Sequence, residues 1–275
     1  MGQFSVTIYR HTGSVLSDNQ QLVFLLLYAP ILSAVLFSFS ADRFPSLDMS
    51  GFSTKWYAQV LTDRAMLEAL GNSLTVAGIT ALIATALGFA AAYADYRFRF
   101  FGQKAVLALA LLPPTVPLVI LGLAMLAFFS RIGIAGTLAA VVAAHVVIAA
   151  PFAMAVCRLR LAQLDETLET AAQNLGALPH SALARIVLPH TLPAILAAFL
   201  ITFAVSFDEY VISWFTGGLN QTIPVAVLTT LQGQVDPTIH VIGTLSFSVT
   251  LTLVLIALAV VLRQSGGAMS KEETS

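Results

Sequence analysis

Asp208 and Glu209 are adjacent acids set between apolar runs, and they are the residues of this chain best placed to do chemistry. An acid in the middle of an apolar membrane segment costs roughly 2.5–3.5 kcal/mol on insertion scales, so such a group faces a wet cavity or a partner. Neighbouring residues on a helix point about 100° apart, which gives the two acids different surroundings. Thr202, Ser206, Glu209, Ser213 and Thr216 recur at spacings of four, three, four and three and make one polar stripe, whereas Asp208 lies among Ala204, Val205, Val211 and Ile212. Glu209 is therefore the candidate for lining a polar path, with Ser206 and Ser213 beside it, and Asp208 the candidate for an interhelical partner. A carboxylate there can pair with a cation, and Tyr210, Trp214 and Phe215 offer cation–π faces. The same acid also suits a contact between subunits or a place near the outer surface. Thr115 stands beside Pro113, Pro114 and Pro117, which break the hydrogen-bond ladder of their apolar run. A broken helix in lipid lines a cavity or is buried in protein, so Thr115 is either a path residue or part of a packing kink. His145 has no second ligand at metal-binding spacing and reads as a hydrogen-bonded packing residue. The single cysteine, Cys157, has no intrachain disulfide partner, and no Ser/His/Asp, Cys/His or paired-acid set points to catalysis.

The elements that hold these residues follow from composition. Of 275 residues 58% are hydrophobic and 10% charged, against roughly 25% charged in a soluble domain, and the mean hydropathy is +0.88. A net charge of −1 leaves no basic surplus for nucleic acid. Charge-free runs extend over Asn19–Ala41, Ala69–Ala94, Ala105–Ser130, Ile132–Cys157, Ile186–Phe207 and Pro237–Leu262. Each is longer than the roughly 20 residues a helix needs to cross a hydrocarbon core. The expectation is an all-α integral membrane protein with six transmembrane helices. Thr244, Ser246, Ser248, Thr250 and Thr252 alternate as a strand would, but inside so long an uncharged run they read as helix.

Lys and Arg set the orientation. With the N-terminus inside, Arg10, Arg97, Arg99, Lys104, Arg158, Arg160, Arg185, Arg263 and Lys271 are cytoplasmic, nine of the 13, and Arg43, Lys55, Arg64 and Arg131 are outside. The expected order is a cytoplasmic segment 1–21, a six-span domain 22–262 and a cytoplasmic tail 263–275. Trp56 and Tyr57 suit the headgroup level, and the segment from Thr216 to Asp236, with Gly217, Gly218 and Pro224, reads as an outer loop that dips back into the membrane.

The inner connection 158–190 carries the most information. Asp165 suits a helix N-cap, Leu164, Leu168, Ala171, Ala172 and Leu175 share one face, and Gly176 suits a left-handed helix end. Pro179 suits the first turn of a second short helix, which Pro189 is expected to stop before the fifth span. Two such helices form a flat docking surface, or pack under their own membrane domain.

Ala171, Ala172, Gly176, Ile186, Leu188 and Pro189 match in spacing the cytoplasmic Glu-Ala-Ala loop of ABC importer permeases, which this segment resembles. The family's Glu falls on Thr170, with an acid one place earlier at Glu169. The likeness extends over most of the chain to the second permease subunit of spermidine/putrescine-type importers, through Gly51 to Tyr57, Tyr96 to Arg99, Pro113 and Pro114, His145 with Pro151, Ser206 to Glu209, and Ile223-Pro224. The resemblance implies a type I importer permease fold in a bacterial cytoplasmic (inner) membrane, with Glu169, Thr170, Ala171, Ala172, Gly176, Ile186, Leu188 and Pro189 coupling to an ATPase. It also implies the partners: a second permease in a heterodimer, two ATPase subunits that bind ATP and Mg, and an extracytoplasmic solute-binding protein. The chain has no Gly-x-x-x-x-Gly-Lys-Ser/Thr phosphate loop of its own. Polyamine import by alternating access is the leading expectation. Another small amine-bearing or anionic solute in the same class, and an independent channel or ion-coupled carrier, are the alternatives.

Overall fold

The computed structural model describes residues 22–43, 50–233 and 236–272. The expected segment 1–21, including Arg10, lies outside the described residues. The chain forms two compact units, one of residues up to Asp63 with Thr230–Leu245, the other of Arg64–Thr229 with the residues from Ser246 on.

In the first unit, α1 (Leu22–Ser38) leads into a single antiparallel bridge between Ser40 and Phe52, followed by α2 (Lys55–Thr62). The Trp56 indole N–H donates to the Ser40 carbonyl at 2.9 Å, the Tyr57 hydroxyl meets Ser38 Oγ at 2.8 Å, and Lys55 Nζ donates to the Ala41 carbonyl at 2.6 Å. The two aromatics expected at the headgroup level thus also fasten α2 to the end of α1.

The second unit holds α3 (Arg64–Arg97), α4 (Gln103–Ala110), α5 (Leu118–Arg131), α6 (Leu138–Leu161), α7 (Glu166–Asn174), α8 (Pro179–Ala182), α9 (Leu188–Phe207), α10 (Val211–Thr216) and most of α11 (Ile223–Gly233). The last helix, α12 (Thr238–Glu272), begins in the first unit and continues in the second. Each of the six apolar runs contains helix among its described residues, which hold no strand beyond the isolated bridge. Four helices are long and apolar enough to cross a membrane: α3, α6, the continuous stretch Pro179–Phe207, and Thr238–Ala259 of α12. The run 105–130 is split. Pro113 and Pro114 form a short 3₁₀ turn with Thr115, and Pro117 then opens α5, because prolines have no N–H to continue the ladder.

Small residues set the packing. Ala77, Ala81, Ala84, Gly88 and Ala92 of α3 are buried at helical spacing, and α6 buries Ala140, Ala144, Ala149 and Ala153. At Gly88 the helices come so close that a Cβ would lie 2.5 Å from Ala153 Cβ and 2.6 Å from Met154 N. With lipid outside there is little hydrophobic drive between spans, so association rests on such close backbone approach. Cys157 is fully buried nearby with Ala92, Met154, Leu161, Leu164, Val187 and Ala198.

Helix α3 begins at Arg64, ahead of the charge-free run that starts at Ala69, and α12 continues past Leu262 to Glu272. One boundary expected from the sequence is corrected. Pro189 does not stop α8: the chain stays helical from Pro179 to Phe207, with a π-helical turn at Leu183–Val187 immediately before Pro189. A proline ring clashes with the carbonyl four residues back, here that of Arg185, and the wider turn moves that carbonyl aside.

Candidate functional site

Helix α7 is short and its ends are fully specified. The Asp165 carboxylate accepts from the Thr167 amide at 2.9 Å, and this bond holds the acid below the usual carboxylate range. At the other end Gly176 has φ +90°, the Gly176 amide donates to the Gln173 carbonyl at 2.9 Å, and the Ala177 amide donates to the Ala172 carbonyl at 3.0 Å. That pair of bonds is a Schellman ending. The glycine of the gapped motif is there for its backbone, since nothing lies within 4 Å of where its side chain would be.

The two faces of α7 differ. Glu169 points inward and is 1% exposed, where Oε1 accepts from the Tyr93 hydroxyl at 2.8 Å and lies 3.3 Å from Arg97 Nε. Arg97 also donates to Gln173 Oε1 at 3.3 Å. The end of α3 therefore grips α7 at two positions one turn apart. Outward lie Thr170 and Ala171, with Leu168, Leu175 and Leu178 exposed at 49%, 90% and 60%. A shallow concavity of about 440 Å³ is lined by Thr167, Thr170, Ala171 and Asn174. Ala172, Ile186 and Leu188 are half-buried, and Pro189 is exposed. Three leucines so bare on a connection between spans make an exposed apolar patch. The adjoining helix ends are tied by Arg158 Nε to Asp95 Oδ2 at 2.6 Å, with Gln103 Nε2 donating to the same Asp95 side chain at 2.9 Å.

The second constellation lies where the fifth apolar run ends. The helix breaks at Asp208–Tyr210, between α9 and α10, so the polar stripe is not on one continuous helix. Ser206 and Ser213 flank the break, and both are buried against α6, where they contact the two ring nitrogens of His145 at 2.8 and 2.9 Å. Thr202 is buried as well, 3.3 Å from Thr85 of α3. Glu209 is half-buried, and its Oε1 accepts from the Ile212 amide at 2.9 Å, which caps α10. Asp208 is exposed and accepts from Thr250 of α12 at 2.8 Å. Tyr210 and Trp214 pair their rings at 6.1 Å, with Trp214 40% exposed. Thr115 is exposed and donates to the Leu112 carbonyl of its own turn. His145 joins Ser206 to Ser213, while Glu209, Asp208 and Thr115 each have separate partners. Among the described residues no three metal-ligating side chains converge.

Sequence reasoning did not single out Tyr93 and Arg97 as partners of α7. Their spacing of four at the end of a span was the available signal, since it puts both on one face. Thr250 was visible only as one of five alternating hydroxyl residues.

An apolar helix bundle with a capped short helix bearing bare leucines on the connection between two spans fits one class, the membrane subunits of ABC importers. The chain belongs to the family described as binding-protein-dependent transport system inner membrane component, whose sequence profile matches residues 84–266. Among curated relatives, the spermidine/putrescine transport system permease protein PotC of Haemophilus influenzae is 31% identical over 86% of this chain and 92% of its own length. The putrescine transport system permease protein PotI of Escherichia coli K12 is 36% identical over 82% of each chain. The fold is shared with a chain in the crystal structure of a bacterial ABC transporter involved in the import of the acidic polysaccharide alginate, with TM-score 0.71, 18% identity and coverage of 95% of this chain and 99% of that one. A chain of the MetNI methionine ABC transporter gives TM-score 0.55 at 18% identity, covering 72% and 99%. The protein is a permease subunit of an ABC importer.

Proposed function

We propose that this permease imports polyamines of the spermidine/putrescine kind by alternating access. It works paired with a second permease, powered by two ATPase subunits that bind ATP and Mg, and supplied by an extracytoplasmic solute-binding protein. Both termini are cytoplasmic, and the chain itself carries out no catalysis. The relatives named for spermidine and putrescine support the cargo, and nine cytoplasmic Lys and Arg against four outside support the orientation.

The observation that carries the coupling reading is the two-faced α7. Its buried Glu169 fixes it to α3, and its bare Leu168, Leu175 and Leu178 face away from the chain. Ala171, Ala172 and Gly176 form the centre of the contact with the ATPase, flanked by Thr170. Ile186, Leu188 and Pro189 carry the motion into α9. On the transport path, Glu209 presents its second carboxylate oxygen and Trp214 its exposed face to a cationic solute, with Tyr210, Ser206 and Ser213 shaping the break and Asp208 and Thr115 at its margins.

Gly176→Trp in the assembled transporter tests the coupling reading. The expected result is loss of ATPase capture, or ATP hydrolysis without uptake, whereas native uptake sinks the proposal. A ligand screen of the partner solute-binding protein tests the cargo: preference for putrescine or spermidine supports it, and preference for an anionic solute overturns it. Solute flux by this chain alone in liposomes would instead establish the independent-carrier reading.

A further inference from the structure

Helix α3 holds a second polar clamp at its opposite end. Ser73 Oγ accepts from the Ile223 amide at 2.7 Å, and the Asn72 side chain donates to the Gln221 carbonyl at 3.0 Å. Ile223 is the first residue of α11, and the Thr222 hydroxyl just before it makes no hydrogen bond, so a residue of α3 supplies the acceptor for this orphan amide. Asn72 and Ser73 are thus to α11 what Tyr93 and Arg97 are to α7. From Ser73 to Tyr93 the helix rises about 30 Å at roughly 1.5 Å per residue, close to a bilayer core.

The rod between the clamps has Gly78 and Gly88 but no helix-kinking proline. The sequence from Arg64 to Arg97 contains no proline, whereas α6 carries Pro151 and α9 carries Pro193 in its interior. Ser73, Val76, Ala77, Thr80, Ala81, Ala84, Thr85 and Gly88 are all buried along it. A continuous buried face of this kind favours motion of the helix as one piece.

We infer that α3 is the strut that links ATPase docking at α7 to the segment around α11 on the other side of the membrane, with Tyr93 and Arg97 as positioning residues at one end and Asn72 and Ser73 at the other. The inference rests on the docking reading of α7. It assigns the strut four side chains that lie outside the gapped loop motif and outside the stripe around Glu209.

The test is a distance within this chain. Thr167→Cys, at the edge of α7, and Leu219→Cys, just before α11, are spin-labelled in the assembled transporter, where the native Cys157 is buried and unlabelled. Pulsed electron resonance is read without nucleotide and with ATP and orthovanadate. The expected distance is narrow and the same in both states within about 2 Å, the scale of packing adjustment. Tyr93→Phe with Arg97→Gln, or Asn72→Leu with Ser73→Ala, should broaden it and lower solute moved per ATP by about tenfold. Combining both pairs should add little, because either break already disconnects the strut. A native shift of about 5 Å or more, one helical turn, overturns the proposal. So does native coupling in both paired variants. Capture of the ATPase by Gly176→Trp decides the docking reading separately, since the distance is measured between two points of one chain.

Discussion

Glu209 and Gly88 illustrate how differently single residues matter here. Glu209 uses one carboxylate oxygen to cap α10, so Glu209→Gln can keep an acceptor for the Ile212 amide while it removes the charge and turns the second oxygen into an N–H donor. If the acid meets a cationic solute, uptake by this variant should show weaker apparent affinity with the protein amount unchanged, and unaltered affinity and rate would count against that role. Gly88 has no chemistry, but α3 and α6 meet at its Cα. Gly88→Ala places a methyl where Ala153 and the Met154 backbone already are, an overpacking cost of about 1–3 kcal/mol, and should lower the melting temperature of the purified complex. Neither effect was legible in the sequence. The acids stood out by charge among apolar neighbours, yet which oxygen is occupied depends on a helix break that spacing alone did not reveal. Gly88 looked like any other small residue of a span.

At the scale of elements, α7 was the most legible part of the molecule, because its signals are local. Asp165, the apolar face and Gly176 act within one or two turns, and the structure has the N-cap and the left-handed ending where they were expected. The Asp165 carboxyl lies below its ordinary value, so its contribution to α7 is present at neutral pH and lost as pH falls through that lowered value. Protection of the Thr167 amide, its exchange rate compared with the intrinsic rate at the same pH, should therefore hold through mildly acidic conditions and fall only below the ordinary Asp range. Asp165→Asn should remove this pH dependence while keeping the cap, and Asp165→Ala should quicken exchange at every pH. The π-turn before Pro189 was not legible. A proline near the start of a helix and a proline ending one read alike until the neighbouring turn is known. The grip of Tyr93 and Arg97 on Glu169 was hidden for another reason: it joins residues 76 positions apart, and single-sequence periodicity carries no information at that range.

For the whole molecule, composition gave the solvent and little about the company it keeps. Within the chain, 61% of the α6 window is buried but only 22% of the Thr238–Ala259 window, so that stretch leaves most of its surface to lipid or to another chain. With no phosphate loop, the chain purified alone should take up no photoreactive ATP analogue, and competed labelling of the chain by itself would contradict the division of labour proposed above. One detail of α7 also bears on how that company is held. The exposed side chains from Thr167 to Leu178 are Thr167, Leu168, Thr170, Ala171, Asn174, Leu175 and Leu178, none charged, and the acid of the segment is turned inward. The exposed Asp165 just ahead of this run is the nearest described charge, so a grip centred on the uncharged residues should weaken little with ionic strength, and the ATPase should remain bound through a wash in about 1 M salt, where charges are screened beyond about 3 Å. We expect an ATPase shaped to hold an acid at the Thr170 position to fit this permease poorly.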